Sequence, residues 1–379
     1  MKIVLLITDE REAYRQYEKE APYFGTAPAA LLQGLEMMPE LEVHIISCAK
    51  RKVQAPVRLG ENIFFHSVVV PKLGWLRTAY QGCIRAARRK IKEIGPDLVH
   101  GQGTERDCSL SAVFSGYPNV ITIHGNMRLV ARIKSSPPFS FNWLAARLEA
   151  FTLSRTKGVV CITNYTRAAV ESLARKTWVV PNAVDASFFE IKRQPATPRR
   201  ILCVANVDSR KNQNALLRSL DSLGAGRNFE LIFLGRARRE DAYGREFFEL
   251  VDAHSWSRHE GFADRETLKQ HLALASGLVL PSLEDNCPMV ILEAMAAGVP
   301  VAAAGVGGVP DLIRDGETGI LFDPRDGKAI AAAVEGLMSG EALARASRAR
   351  EEALTRFHPK TVARRHVEIY REVLESAHD

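Results

Sequence analysis

No stretch of this chain approaches the run of about 20 apolar residues that crosses a bilayer, so it offers no candidate spanning helix. Its opening, MKIVLLITDE, turns acidic too soon for a secretory signal and is expected to form a first strand, Lys2 to Thr8. Cysteine is sparse: six residues, at 48, 83, 108, 161, 203 and 287, with no C-x-x-C and no paired spacing. That excludes a disulfide framework and a zinc-finger pattern, and suits reduced thiols in a cytoplasm. Acidic residues are missing altogether between Lys72 and Lys92, where seven basic ones fall. Residues 1–186 hold 25 Lys+Arg against 16 Asp+Glu, and the remainder 26 against 28, so the formal charge of +7 sits in the first half. A basic half can take nucleic acid, anionic lipid or a phosphorylated small molecule, although a solvated face is the ordinary reading.

What is present is an ordinary globular composition, 46% hydrophobic and 25% charged over 379 residues, enough for two or three domains. Short apolar runs alternate with helical patterns from end to end, which predicts parallel sheets. The first half reads as strands 2–8, 42–47, 63–70, 97–101, 120–123 and 158–162, with helices 29–38, 77–94, 143–154 and 165–173. A long polar segment, Asp9 to Phe24, precedes Gly25. Helix 77–94 carries an apolar stripe of Tyr80, Ile84, Ala87 and Ile91, with Arg85, Arg88, Arg89, Lys90 and Lys92 opposite. Such a face can lie on an anionic membrane, but more often it is a surface helix docked on a sheet. The segment 127–143, basic, apolar and broken by two prolines, reads as a loop. The polar QPATP of 194–198 marks a boundary. Beyond it come strands 201–205, 230–234, 278–280, 301–304 and 320–322, with helices 213–223, 245–253, 265–275, 288–297, 328–338, 341–355 and 359–376.

One stretch organises the rest: LVLPSLEDNCPMVILEAMAAGVPVAAAGVGGVP, residues 278–310. A buried strand stops at Pro281-Ser282. The loop behind it carries Glu284, Asp285 and Asn286, and Pro288 sits where a helix begins well. From Pro288 to Ala297 every residue is apolar except Glu293. A lone carboxylate on a buried helix is costly unless something hydrogen-bonds it. It is ordinarily bonded to a neighbouring backbone. Here, however, the acidic loop lies at a strand's carboxyl end, where open α/β sheets bind ligands, beside a helix N-terminus, which attracts phosphate. A carboxylate one turn in can accept hydrogen bonds from a ribose diol. A second strand–turn–helix, Ile201 to Gln213 through NVDSRKN, places Arg210 and Lys211 at another such edge.

Asp285 and Glu293, separated by seven residues and followed by Ala-Met-Ala, Gly and Pro, strongly resemble the signature of the retaining GT-B glycosyltransferases of family 4, the glycosyl transferases group 1. The resemblance covers nearly the whole chain and is strongest over 200–322. It implies a GT-B fold: two Rossmann-like domains with parallel sheets facing across a cleft, 1–190 on the acceptor side and 199–358 on the donor side, with helix 359–379 packing back on the first. It implies transfer of a sugar from a nucleotide-diphosphate sugar to an acceptor hydroxyl with retention of configuration. His124, at a strand's end before Gly125, resembles the histidine that meets the donor sugar, and His100 resembles another often found one strand earlier. Lys211 matches the lysine on the donor diphosphate. Asn206 stands where the family has arginine, with Arg210 the candidate substitute. Gly261 and Phe262 resemble the Gly-Phe beside the base. Glu284, Asp285, Asn286, Cys287, Pro288, Met289 and Val290 line the donor sugar's place, and Glu293 holds the ribose. Gly25 and Thr26 occupy the acceptor-side glycine loop, for which an ordinary turn is a nearly equal reading.

The chain departs from the family with Asp285 for Glu, Pro288 for Gly and Ala183 for the glycine of Pro-Asn-Gly-Val-Asp. Both changes in the 285–288 loop fall on the sugar's side of the site. No D-x-D occurs, so neither a metal nor a cofactor is expected beyond the nucleotide sugar itself. The expected acceptor is anionic or lipid-linked, in cell-envelope or polysaccharide synthesis. The expected location is the cytoplasm, with peripheral contact at the inner face of a membrane through the basic first domain and no nucleic-acid partner. Two other readings share the fold and the donor: a sugar-nucleotide 2-epimerase, and a nucleotide-sugar-binding protein without turnover.

Overall fold

A computed structural model describes residues 1–221 and 228–376. It divides into two compact units: Met1–Ala183 with the chain from Pro359 onward, and Val184–His358. The first holds strands β1 (Lys2–Leu6), β2 (Glu42–Ala49), β3 (Ile63–Val69), β4 (Leu98–Gln102), β5 (Asn119–Ile123), β6 (Gly158–Cys161) and β7 (Thr177–Val179). They form one parallel sheet in the order β3-β2-β1-β4-β5-β6-β7. The second holds β8 (Arg199–Val204), β9 (Phe229–Leu234), β10 (Ser257–Gly261), β11 (Gly277–Leu280), β12 (Val301–Ala304) and β13 (Ile320–Phe322). These are parallel in the order β10-β9-β8-β11-β12-β13. Both sheets start in the middle and wind outward both ways, so each has a switch point: between β1 and β4, and between β8 and β11. Buried runs such as Ile3–Leu6 and Leu278–Leu280 form these strands because helices cover the sheet on both faces.

Helix Pro359–Glu375 belongs to the first unit, where Val362, Ile369 and Tyr370 share a core with Ile3, Leu35 and Val43. The last positions of the expected helix, 377–379, lie outside the described residues, as do 222 and 223 of the expected helix 213–223, which is seen over Gln213–Asp221. The unit boundary falls earlier than the expected 190. Phe188 and Phe189 pack into the second unit's core, and the Val184 amide donates to the Phe357 carbonyl at 2.9 Å.

Three local expectations are corrected, and one helix is added. Segment 9–24 contains a short helix, Arg11–Tyr14, and buries Arg11 completely against Asp9 at 2.7 Å. The guanidinium also donates through Nη1 to the carbonyls of Lys19, Glu20 and Gln54, so its charge is paired and each of its three nitrogens has an acceptor inside. Helix 77–94 begins at Gln81. Residues 77 and 78 belong to the 3-10 turn Leu76–Thr78, which follows another at Lys72–Gly74, and Tyr80 precedes the helix with φ of 60°. Segment 127–143 holds the helix Met127–Ile133, capped by the Asn126 side chain, because its prolines fall after the helix ends. A helix at Cys108–Val113 adds to the expected elements. Among the described residues no helix is long and apolar enough to cross a membrane.

Candidate active site

In the second unit, adjacent strands β8 and β11 release their loops side by side at the switch point. The turn after β8 carries Arg210 and Lys211, and the loop after β11 carries Glu284 and Asp285. The Leu283 amide donates to the Arg210 carbonyl at 2.7 Å and ties the two together. Lys211 Nζ donates to Asp285 Oδ2 at 2.5 Å, and Ser282 Oγ donates to the same oxygen at 3.0 Å. Arg210 Nη1 donates to the Glu284 carbonyl at 3.0 Å and lies 3.8 Å from Asp285 Oδ1. Burial raises the Glu284 carboxyl above its usual range, with Arg210 opposing. The glycines behind β12 exist for this loop. Gly308 N–H donates to the Asp285 carbonyl at 3.0 Å, and Gly307 has φ of 56°. A Cβ on Gly307 would stand 1.9 Å from that carbonyl oxygen, so only glycine fits.

Helix Met289–Ala296 starts behind Pro288, and Glu293 is on its second turn. Glu293 is 6% exposed and makes no side-chain hydrogen bond among the described residues. Burial pushes its carboxyl up to about 7; Arg265 pulls it down and Asp185 pushes it further up. Arg265 is itself held by Asp185, Nη1 to Oδ2 at 2.5 Å. Sequence reasoning passed over Arg265, although it opens the helix just after Gly261-Phe262, and met Asp185 only as the last residue of the Pro-Asn-Ala-Val-Asp run that contains Ala183. Val290 is buried in the core, so its side chain is structural, and Cys287 and Met289 are partly buried against the same core.

Phe262 is 60% exposed, which rules out core packing as its purpose. The Arg236 guanidinium lies 4.9 Å over its ring. Gly261 has φ of 80°, and its carbonyl accepts from Gly235 N at 2.7 Å. Asn206 is a brace. Its Oδ1 accepts from the Arg236 amide at 3.0 Å, and its carbonyl accepts from the Gln213 side chain at 3.1 Å. Arg236 was missed; its signal was the basic run 236–239 at the end of β9.

In the first unit, His124 follows β5. Its Nε2 donates to Gln102 Oε1 at 2.8 Å, and Asn182 is a further side-chain partner. Burial lowers its imidazole to about 4, so it is neutral at pH 7. His100 is fully buried, bonded to Tyr370 and Thr122 at 2.7 Å each, and belongs to the core. Gly25 caps helix Thr26–Glu36, so Thr26 is helical and the acceptor-side loop is a helix start. The fold also brings together what sequence spacing kept apart: Cys48, Cys83 and Asp107, all buried, place ligand atoms within 4.8 Å of one another and are the described residues able to hold a metal.

Comparison with known proteins gives two family models, one falling mainly on each unit. Residues 198–340 match the family model described as glycosyl transferases group 1, and residues 30–188 match that of glycosyltransferase family 4. The glycogen synthase of Mycobacterium tuberculosis is 26% identical over 319 residues, 79% of this chain and 75% of that protein. The sucrose-phosphate synthase structure from Thermosynechococcus elongatus superposes with a TM-score of 0.77 at 18% identity, covering 99% of this chain and all of that one (100%). Anabaena HepE, solved with UDP-glucose, gives 0.73 at 18% identity, over 98% and 100% of the two chains.

Proposed function

This chain belongs to glycosyltransferase family 4, the glycosyl transferases group 1, and has their GT-B fold; on that premise we propose that it moves a sugar from a nucleotide-diphosphate donor to an acceptor hydroxyl, with retention and without a metal. The observation that carries the donor assignment is Glu293. A buried carboxylate with no hydrogen-bond donor of its own is expensive, and a ribose diol supplies two donors. In the proposed reaction the bond from the sugar's C1 to the β-phosphate oxygen breaks. C1 bonds to the acceptor oxygen on the same face, and the hydroxyl proton leaves on the nucleoside diphosphate. Lys211 and Arg210 meet the charge growing on that leaving group as preorganised cations. Asp285 holds Lys211 in place until the donor arrives and then turns to the sugar's hydroxyls, with the amides of Cys287 and Met289. Phe262, with Arg236 behind it, gives the base a surface to stack on. His124, being neutral, serves as a hydrogen-bonding group for the sugar rather than as an acid.

The test is a thermal-shift panel of UDP, GDP, ADP, TDP and CMP on the full chain and on Glu293→Ala. A nucleotide at about 100 times its dissociation constant adds about 2.7 kcal/mol. One nucleotide should raise the wild-type midpoint and leave the variant unmoved. No response to any nucleotide would overturn the donor assignment. His124→Ala should keep the nucleotide shift and lower kcat; an unchanged kcat removes His124 from the reaction.

A further inference from the structure

The first unit contains a cavity of about 720 Å³, within the range of small-molecule sites. Its wall is drawn from the segments that leave four neighbouring strands: Glu12 and Arg15 after β1, Lys50 after β2, Lys72 to Tyr80 after β3, and Arg106 after β4. This is the carboxyl edge of the sheet and spans its switch point, the place where open parallel sheets take ligands. The charge of the wall is one-sided. Glu12, its single carboxylate, is already held by Lys50 Nζ at 2.8 Å. Arg15, Lys72, Arg77 and Arg106 form no ion pair among the described residues. Four like charges around one cavity repel one another unless an anion sits among them. Along this wall Arg15 and Ala79, with φ of 56° and 46°, end the helical turns Arg11–Tyr14 and Leu76–Thr78, and Tyr80, with φ of 60°, precedes the helix Gln81–Ile94. Trp75 is fixed by its indole N–H on the Val70 carbonyl at 3.1 Å and by Lys50 over its ring, so the wall has a set shape.

We propose that this cavity is the acceptor site, and that the acceptor is a phosphate ester whose phosphate is held by Arg15, Lys72, Arg77 and Arg106. The proposal rests on the glycosyltransferase reading and names its substrate class. Phosphate on a free sugar and phosphate on a lipid carrier present the same group to these cations.

The experiment is calorimetric titration of the full chain carrying Arg210→Ala/Lys211→Ala/Asp285→Asn, so that neither donor-side cation can answer for the cavity and no buried carboxylate is left unpaired. Soluble probes are inorganic pyrophosphate and glucose 1-phosphate. The lipid probe is phosphatidylcholine vesicles with or without a polyprenyl phosphate, read by co-sedimentation. Each is repeated with Lys72→Glu/Arg77→Glu, two exposed residues of the wall, and with Arg364→Glu/Arg371→Glu, two exposed cations of the same unit outside it. The wall pair should weaken binding about tenfold or more, as for lost charge-assisted hydrogen bonds, and the control pair should not. Binding of the soluble probes identifies a free phosphorylated acceptor. Binding only to vesicles with polyprenyl phosphate identifies a lipid-linked one. Equal losses in both pairs, or no binding of any probe, overturn the proposal. Nucleotide stabilisation of the unsubstituted chain, measured alongside, separates this failure from that of the donor reading: if it persists, only the acceptor assignment falls.

Discussion

Lys211→Ala is expected to lower kcat by about 10²–10³-fold, the usual loss when one preorganised charge-stabilising group is removed. The complication is that Lys211 has two duties. Without the donor it neutralises Asp285, which is 8% exposed. Removing a partner from a buried pair costs about 3–5 kcal/mol, so the single variant should also melt earlier, and lost stability could pass for lost catalysis. The double variant Lys211→Ala/Asp285→Asn resolves this, because the amide no longer needs a cation. Its melting temperature should recover while its kcat stays low. Near-normal turnover in the single variant, or turnover that returns with stability in the double one, would show that Lys211 only holds the loop. The same assays with a chelator should be unchanged; loss of activity there would mean that a metal shares the diphosphate.

Glu293→Gln is expected to gain stability and lose the nucleotide. The carboxyl is raised to about 7 in the folded chain from its ordinary value of 4.5. Between those values the folded chain holds a proton that the unfolded chain has released, so stability falls as pH rises through that window, by roughly 3 kcal/mol in all. The amide carries no such penalty. The variant should therefore exceed wild type by roughly that amount at pH 8 and match it below pH 4.5. A ribose diol donates to the ionised form, so nucleotide affinity in wild type should rise with pH through about 7. Below that pH, binding should release a proton into the buffer. Titrations in buffers of different ionisation enthalpy read that proton directly. An affinity flat from pH 6 to pH 8.5, or a variant no more stable than wild type, would refute the account.

The sequence made the site of the second unit legible because its signal is local. Leu278 to Pro310 contains a strand, its acidic loop, a buried helix and a glycine turn in one continuous run, and the structure keeps them in that order. What was not legible is whatever depends on strand order. Lys211 and Asp285 are far apart in the chain and meet because β8 and β11 are neighbours. The cavity of the first unit draws on four loops, and no single one of them looks unusual apart from its charge. Arg11 reads as a surface residue until the carbonyls of Lys19, Glu20 and Gln54 are brought round it. Cys48 and Cys83 lack paired spacing because a strand and a helix, rather than a loop, bring them together. Asn206 looked like a missing charge, whereas its amide oxygen holds the Arg236 backbone in place.

The helix from Pro359 gives the chain an order of completion. Val362, Ile369 and Tyr370 fill the core against Ile3 and Leu35, and the Tyr370 hydroxyl meets His100 beneath the sheet. On a ribosome, the unit Met1–Ala183 therefore waits for Pro359–Glu375 to emerge before its interior closes, while Val184–His358 already holds its own core. Residues 1–183 are thus translated early and mature late, and a separately expressed first unit needs the distant helix Pro359–Glu375 supplied with it.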